Sequence, residues 1–327
     1  MAVRAVTFDE YGDVDVLRVS DVADPVPGPE EVLVEVTASA MNRADLLQRM
    51  GLYAGPKMAV EVPGLEFAGR VVGMGGRTTS AKIGDEVMGI VGGGGQAELL
   101  TTHERMLLPV PASVGLADAA AIPEVFITAW DALVRQGGLT AGRTALVHAG
   151  ASGVGTAAIQ LANALGARIA VTASTEKVAA CRDLGAHLVV DYRRDDFVAM
   201  VQDFTAGEGV DVVLDVIGGD YLARNIRCLA IGGIIIQVGV MGGGVTEANL
   251  GELLMKRAGI RGTTLRSRPI EEKISISREF SLQMLPFFDV GSLRPVIDSR
   301  FGIDEIGDAH QHMASNANVG KILIDIA

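Results

Sequence analysis

The rhythm of hydrophobic and polar positions changes twice along the chain. Over residues 1–121 it is short-range. Val32-Leu33-Val34-Glu35-Val36 alternates as a half-buried strand does, and residues 64–72 and 86–91 read as further strands between Pro and Gly breaks. A short helix, Arg43–Arg49, interrupts them. From Pro123 helix and strand alternate. The pattern predicts a helix over 124–136, then strands at 145–149, 168–172, 187–191, 210–216 and 234–240. The helices between them are 156–165, 176–184, 196–204 and 221–228, and a last helix–strand pair ends near Leu265. The tail, 266–327, returns to mixed structure and ends in the apolar strand Ile322-Leu323-Ile324. The fold class expected is α/β: a doubly wound parallel sheet over 122–265, inserted in a β-rich domain made of 1–121 and 266–327. The site is expected in the cleft between the domains, at the carboxyl ends of the strands.

One stretch of this pattern carries chemistry. After the strand ending at Ala149 comes the turn Gly150-Ala151-Ser152-Gly153-Val154-Gly155, and then a helix that Gly166 can stop. Such a turn lets backbone approach a pyrophosphate, and the helix start offers free N–H groups and a positive dipole end. Ser152 stands where the second glycine of a G-x-G-x-x-G turn usually is. Its hydroxyl could touch phosphate, or simply be small in a crowded turn. Gly153 and Val154 would meet the pyrophosphate through backbone.

The end of the second strand of this region bears on which dinucleotide binds. A carboxylate there holds the ribose hydroxyls of NAD. Here the strand ends Val171-Thr172-Ala173-Ser174, without one. Ser174, Lys177 and Tyr192 supply a hydroxyl, a cation and a phenol where a 2′-phosphate would sit, which favours NADP. Ser174 could instead cap the next helix, with Lys177 on a solvated face. Glu176 would oppose a phosphate unless it points away.

Composition narrows the classes. Of 327 residues 49% are hydrophobic but only 4% aromatic, which suits aliphatic parallel strands. A net charge of −12 argues against a nucleic-acid surface. Cys181 and Cys228 are too few for a disulfide scaffold and read as buried thiols, and His148 as a satisfied core histidine. The first residues lack a signal-peptide core, and the uncharged stretch Cys228–Val245, with six glycines, is no membrane span. A cytoplasmic protein without membrane contact is expected.

The segments 40–49, 63–66, Ala121-Ile122-Pro123-Glu124, 147–162 and 265–268 together resemble the zinc-free quinone oxidoreductase branch of the medium-chain dehydrogenases/reductases, nearest the p53-inducible type. The resemblance covers nearly the whole chain. It implies a GroES-like substrate domain, a Rossmann domain, NADPH as hydride donor and a homodimer formed through an edge strand near Ile260–Leu265. Zinc relatives hold their metal by thiolate and imidazole. Here Asn42-Arg43-Ala44-Asp45 and Gly64-Leu65-Glu66 contain neither, so no metal is expected. Without a Lewis acid the substrate must accept hydride readily, as a quinone or an enone does.

By the same resemblance Tyr53 lines the substrate cleft as a donor to the acceptor oxygen, Ser152 reaches the same cleft as a third catalytic candidate, and Asn42 lies near the nicotinamide and the substrate. Otherwise Tyr53 packs on its own loop and Asn42 caps Arg43–Arg49. Gly150, Ala151, Gly218, Gly239, Val240 and Met241 are placed against the cofactor by strand-end position. Leu265, Arg266 and Ser267, with Asn318 and Lys321, are candidates for closing over it, or else surface residues. Gly92–Gly95 reads as a flexible loop. Two other functions stay open: an enoyl or alkenal reductase, and an NADPH-binding redox sensor with little turnover.

Overall fold

The computed structural model describes residues 3–53 and 60–326. The chain divides into two compact units, Thr128–Thr264 and the flanking segments Met1–Ile127 and Leu265–Ala327. Expected domain edges lie at 121/122 and 265/266.

The central unit is built on six strands in spatial order Leu188–Asp191, Arg168–Ala173, Thr144–Val147, Val210–Asp215, Leu229–Gln237 and Gly259–Gly262. All five pairings are parallel. The chain therefore starts mid-sheet, runs to one edge, and returns to build the other half. That order puts a switch point beside Thr144–Val147, where doubly wound folds bind nucleotides. Leu146, Ala170, Val213, Ile226 and Ile235 are among the aliphatic residues that fill its core. Both cysteines are free and buried, and burial raises the thiols of Cys181 to about 11 and of Cys228 to about 12.

The flanking unit holds a sheet of seven strands around the long strand Glu31–Ala40. That strand pairs antiparallel with Glu66–Met74, Leu99–His103 and the C-terminal strand Lys321–Asp325. Val34, Val36, Phe67, Ile322 and Ile324 bury its centre. The two ends of the sequence thus share one core.

Some elements differ from the pattern reading. The helix expected over 124–136 is α-helical only over Pro123–Trp130 and then widens into a π turn, Asp131–Gln136. Asp131 accepts from Gln136 Nε2 at 2.5 Å, a five-residue spacing that the wider turn brings onto one face. The strand expected at 234–240 is Leu229–Gln237, so Gly239, Val240 and Met241 lie past its end. The tail contains a 20-residue helix, Ile270–Asp289, which buries Ile274, Ser277, Phe280, Met284 and Phe288. Gly92–Gly95 is tied down: Gly94 and Gly95 donate to the carbonyls of Val62 and Gly64 at 2.8 and 3.1 Å. A Cβ on Gly95 would meet Glu66 O at 2.5 Å.

At Gly155 a Cβ would stand 2.4 Å from Ala149 O and 2.5 Å from Gly150 backbone. Backbone cannot yield as a side-chain tip does. Gly155→Ala is expected to cost about 1–3 kcal/mol, read as a lowered thermal midpoint. Gly142→Ala, where no atom lies within 4 Å but φ is +80°, should cost only the roughly 1 kcal/mol of its left-handed backbone.

Candidate active site

In the central unit the glycine turn is fixed from both sides. Gly150 donates to Thr172 O at 2.8 Å, and a Cβ there would meet Val171 at 2.6 Å. The helix starts at Gly153, three residues earlier than the apolar pattern suggests, with Ser152 as its N-cap. Ser152 Oγ accepts from Gly155 N–H at 3.0 Å, which leaves its own O–H to donate. The N–H groups of Gly153 and Val154 have no intrahelical acceptor. The donor set therefore suits an anion, and the buried Ala151 lies against the same turn.

A buried polar chain links this turn to the end of the fourth strand. His148 sits between Thr172 Oγ1 at 3.0 Å and Asn225 Oδ1 at 2.7 Å. Asn225 Nδ2 donates to Asp215 Oδ2 at 2.9 Å, and Asp215 Oδ1 accepts from Ile217 and Gly218 N–H at 2.6 and 3.0 Å. Burial lowers the His148 pKa. The imidazole is a neutral brace between the turn and Gly218, whose φ is +67°. Val240 and Met241 are exposed beyond the next strand.

Past the second strand, Ser174 occupies an N-cap position, but no backbone N–H reaches its side chain. Its hydroxyl instead pairs with the Glu176 carboxylate, which also accepts from Arg193 at 2.6 Å. Glu176 points toward Ser174, the case that the sequence reading named as unfavourable to a phosphate. Tyr192 is half-exposed and its phenol pairs with Arg193. Lys177 ends the same turn. The sequence carries no signal for Arg193, because its part is set by a side chain that reaches across the turn to Glu176.

In the flanking unit a charged knot lies fully buried. Lys321 Nζ donates to Glu66 Oε1 at 2.7 Å, Met41 O at 2.6 Å and Asn42 Oδ1 at 2.8 Å. All three ammonium hydrogens are thereby used. Lys321 is neither a surface residue nor in possession of a free donor for a cofactor. Asn42 Nδ2 donates to Ala40 O and Glu66 Oε1, so its amide has no hydrogen left for an acceptor and only Oδ1 keeps capacity. Asn42 is the N-cap residue of Arg43–Arg49, in a capping box with Asp45, and its amide also donates to Glu66. Asp45 does the reciprocal work, accepting from Asn42 N–H at 2.7 Å and Gly64 N–H at 3.2 Å. Burial still pushes Asp45 up to about 6.

Beside the knot, Glu124 donates its N–H to Glu66 Oε2 at 2.8 Å. Its carboxyl lines a narrow recess with Leu65, Val91, Leu265, Arg266 and Lys273. Burial first, and the Glu66 carboxylate next, push it up to about 8. Arg266 is buried, not superficial: it donates to Gly92 O, Tyr53 O and Gln48 Oε1 at 2.8, 3.0 and 2.9 Å. Its guanidinium lies 5.1 Å from the Tyr53 ring centre. Burial and Glu124 raise the Tyr53 phenol, which keeps it a donor. Ala54, Gly55 and Pro56 of the Tyr53 loop lie outside the described residues. Ser267 follows Arg266 in chain order, and Asn318 Nδ2 donates to Gly320 O at 2.8 Å.

A parallel nucleotide-type sheet within a GroES-type β unit defines a medium-chain dehydrogenase/reductase. Residues 28–112 match the alcohol dehydrogenase GroES-like domain, and 153–280 the zinc-binding dehydrogenase domain. The chain is 31% identical to the quinone oxidoreductase of Lama guanicoe, covering 98% of this chain and 97% of that one. It is 32% identical to a quinone oxidoreductase-like protein 2 homolog of Nematostella vectensis, over 91% and 82% of the two chains. A Pseudomonas syringae quinone oxidoreductase superposes with TM-score 0.90 at 28% identity over the full length of both. The Escherichia coli quinone oxidoreductase complexed with NADPH does so at 0.88 and 26%, over 99% of this chain and all of that one. The chain belongs to the quinone oxidoreductase family of the medium-chain dehydrogenases/reductases. It is an oxidoreductase.

Zinc is held by clustered thiolate, imidazole or carboxylate donors. Among the described residues no cluster of His, Cys, Asp or Glu could hold a metal ion. The Glu66 carboxylate is instead paired with an ammonium.

Two outcomes follow for stability. Lys321→Met would leave Glu66 buried without its cation and should cost about 3–5 kcal/mol in denaturant titration. Glu124 ionises near 4.5 when unfolded and about 8 when folded, so the folded chain holds an extra proton between those values. Stability on its account is highest below the lower value and is lost as pH rises through the upper one. The melting temperature of Glu124→Gln relative to the parent should therefore rise between about pH 5 and about pH 9.

Proposed function

We propose that the chain is a zinc-free, NADPH-dependent reductase of quinones or related conjugated carbonyl compounds. The observation that carries the cofactor reading is the set of donors after the second strand. Ser174 and Arg193 already pair with the Glu176 carboxylate, Tyr192 pairs with the same guanidinium, and the strand itself ends at Ala173 without an acid. A structural neighbour from Escherichia coli is described with NADPH.

When bound, the nicotinamide supplies a hydride to the acceptor. The residues of the chain bind and orient. Gly150, Ala151, Ser152, Gly153 and Val154 cradle the pyrophosphate, with the Ser152 O–H as one donor. Ser174, Lys177 and Tyr192 hold the 2′-phosphate. Gly218, Gly239, Val240 and Met241 flank the ribose and nicotinamide. Tyr53, kept protonated by its surroundings, donates to the acceptor oxygen as negative charge gathers there. Asn42, with only an acceptor atom to spare, fixes the position of Lys321 and Glu66 and does not polarise the substrate itself. Leu265, Arg266 and Ser267 support Tyr53 from beneath through the Arg266 contacts, and Asn318 and Lys321 brace the same unit. A quinone or enone suits this set because its charge delocalises onto oxygen without a metal. No described helix is long and apolar enough to cross a membrane. The chain works in the cytoplasm as a homodimer paired through the edge strand Gly259–Gly262, which sedimentation would show.

The second reading is reduction of a conjugated carbon–carbon double bond. It draws on the TM-score of 0.90 to the JamJ enoyl reductase at 25% identity. A panel of quinones, alkenals and enoyl thioesters, with NADPH oxidation as readout, separates the two. Turnover with quinones is expected to lead. Tight NADPH binding without turnover on any of them would point to a sensor instead. Lys177→Ala should weaken NADPH about tenfold while leaving NADH within about twofold, as loss of one charge-assisted contact predicts. Equal affinity of the parent for NADH and NADPH would defeat the phosphate reading.

A further inference from the structure

The group that draws Ser174 and Arg193 together is itself an anion. Glu176 sits in the single turn Thr175–Lys177 with its carboxylate in solvent reach. It accepts from the Ser174 hydroxyl and from Arg193 at 2.6 Å, and Tyr192 pairs with the same guanidinium. A hydroxyl, a guanidinium and a neighbouring phenol are the donors that a phosphate monoester takes. Glu176 also accepts from its own backbone N–H, and the Ser174 and Arg193 contacts are added to that local one. The Ser174 hydroxyl could have capped the turn and does not, and Arg193 has a bulk-water alternative. The other carboxylate nearby is accounted for: Asp191 accepts from Thr175 Oγ1 at 2.6 Å and from Arg193 N–H at 3.1 Å, and Arg194 stands 3.5 Å away. It anchors the backbone on which Arg193 is carried. Glu176 is the carboxylate that Ser174 and Arg193 share.

We propose that Glu176 is an internal stand-in for the 2′-phosphate of the cofactor, and that Arg193 is the cation the phosphate takes over from it. This rests on the NADPH reading above. Binding then exchanges one anion for another on Ser174, Arg193 and Tyr192, and Glu176 swings into solvent. The exchange lowers NADPH affinity below what the donors could give, and it leaves NADH, which brings no phosphate, unaffected. In the cofactor-free protein Glu176 also keeps the Arg193 side chain ordered in the direction the phosphate needs. The residue that seems to argue against NADPH thus sets how tightly, and not whether, it is bound.

The test is equilibrium binding of NADPH and of NADH to the full chain, followed by protein fluorescence or calorimetry, without turnover. Glu176→Gln keeps the size and removes the charge. It should tighten NADPH about three- to tenfold, the range of one exposed ion pair plus relief of like charge, and leave NADH within about twofold. Arg193→Ala should weaken NADPH about tenfold or more with NADH again unmoved. Both positions are exposed, and matching melting curves would show that the variants fold. Unchanged or weaker NADPH binding in Glu176→Gln overturns the proposal, as does equal tightening of both nucleotides. A parent that prefers NADH, and turns toward NADPH on Glu176→Gln, defeats the NADPH reading and the stand-in with it, because Glu176 is then an acid for ribose hydroxyls. A parent that binds neither nucleotide defeats both.

Discussion

The flanking unit turns on one interaction, the ion pair between Lys321 and Glu66 at 2.7 Å with both side chains almost wholly out of water. Burying such a pair is costly unless its remaining hydrogens and lone pairs find partners. Here all three ammonium hydrogens and three carboxylate lone pairs do. The ammonium also serves Met41 O and Asn42 Oδ1, and the carboxylate also takes Asn42 Nδ2 and Glu124 N–H. Four stretches of chain far apart in sequence are thereby fixed at one point. Hydrophobic alternation already sets the register of the sheet, and the knot adds a polar constraint: a slip at any of the four stretches would strip a buried charge of a partner.

That knot also sets the electrical character of its surroundings. Three carboxyl groups, of Asp45, Glu66 and Glu124, lie near one ammonium, and not all can ionise cheaply. Glu124, which has only its backbone N–H in the knot, is the one that burial and its neighbours drive furthest from its ordinary range. Tyr53 is raised by the same surroundings. The neighbourhood of Arg266 is thus furnished with groups that keep their protons at neutral pH. An oxygen gathering negative charge would find donors there in place of repulsion.

Much of the central unit was legible in the sequence. Alternation of helix and strand, and a glycine turn after an apolar strand, are local signals, and the structure answers them nearly strand for strand. Tyr221–Cys228 and Arg43–Arg49 fall where the pattern puts them. Lys321 and Arg266 were not legible as buried groups. A charged residue is normally outside, and only a partner about 255 positions away makes Lys321 an interior one. The helix Ile270–Asp289 hid for another reason: its buried face includes Ser277 and its last turn contains Pro286, so its apolar stripe is broken. The roles of Glu176 and Arg193 are set by side-chain directions across a turn, which no spacing rule fixes.

The discontinuity of the flanking unit has a temporal side. During synthesis the residues of the central sheet leave the ribosome together, and every strand of that sheet has its neighbours by residue 262. The strand Glu31–Ala40 by then has been exposed for the whole time without the partner that completes it, since that partner is Lys321–Asp325. The nascent chain therefore carries a finished nucleotide-type sheet and an unfinished β unit whose buried carboxylate has no cation. Long-range closure of this kind is slow and leaves apolar edges open meanwhile. The β unit that begins with the first strands stays incomplete until Lys321–Asp325 is made.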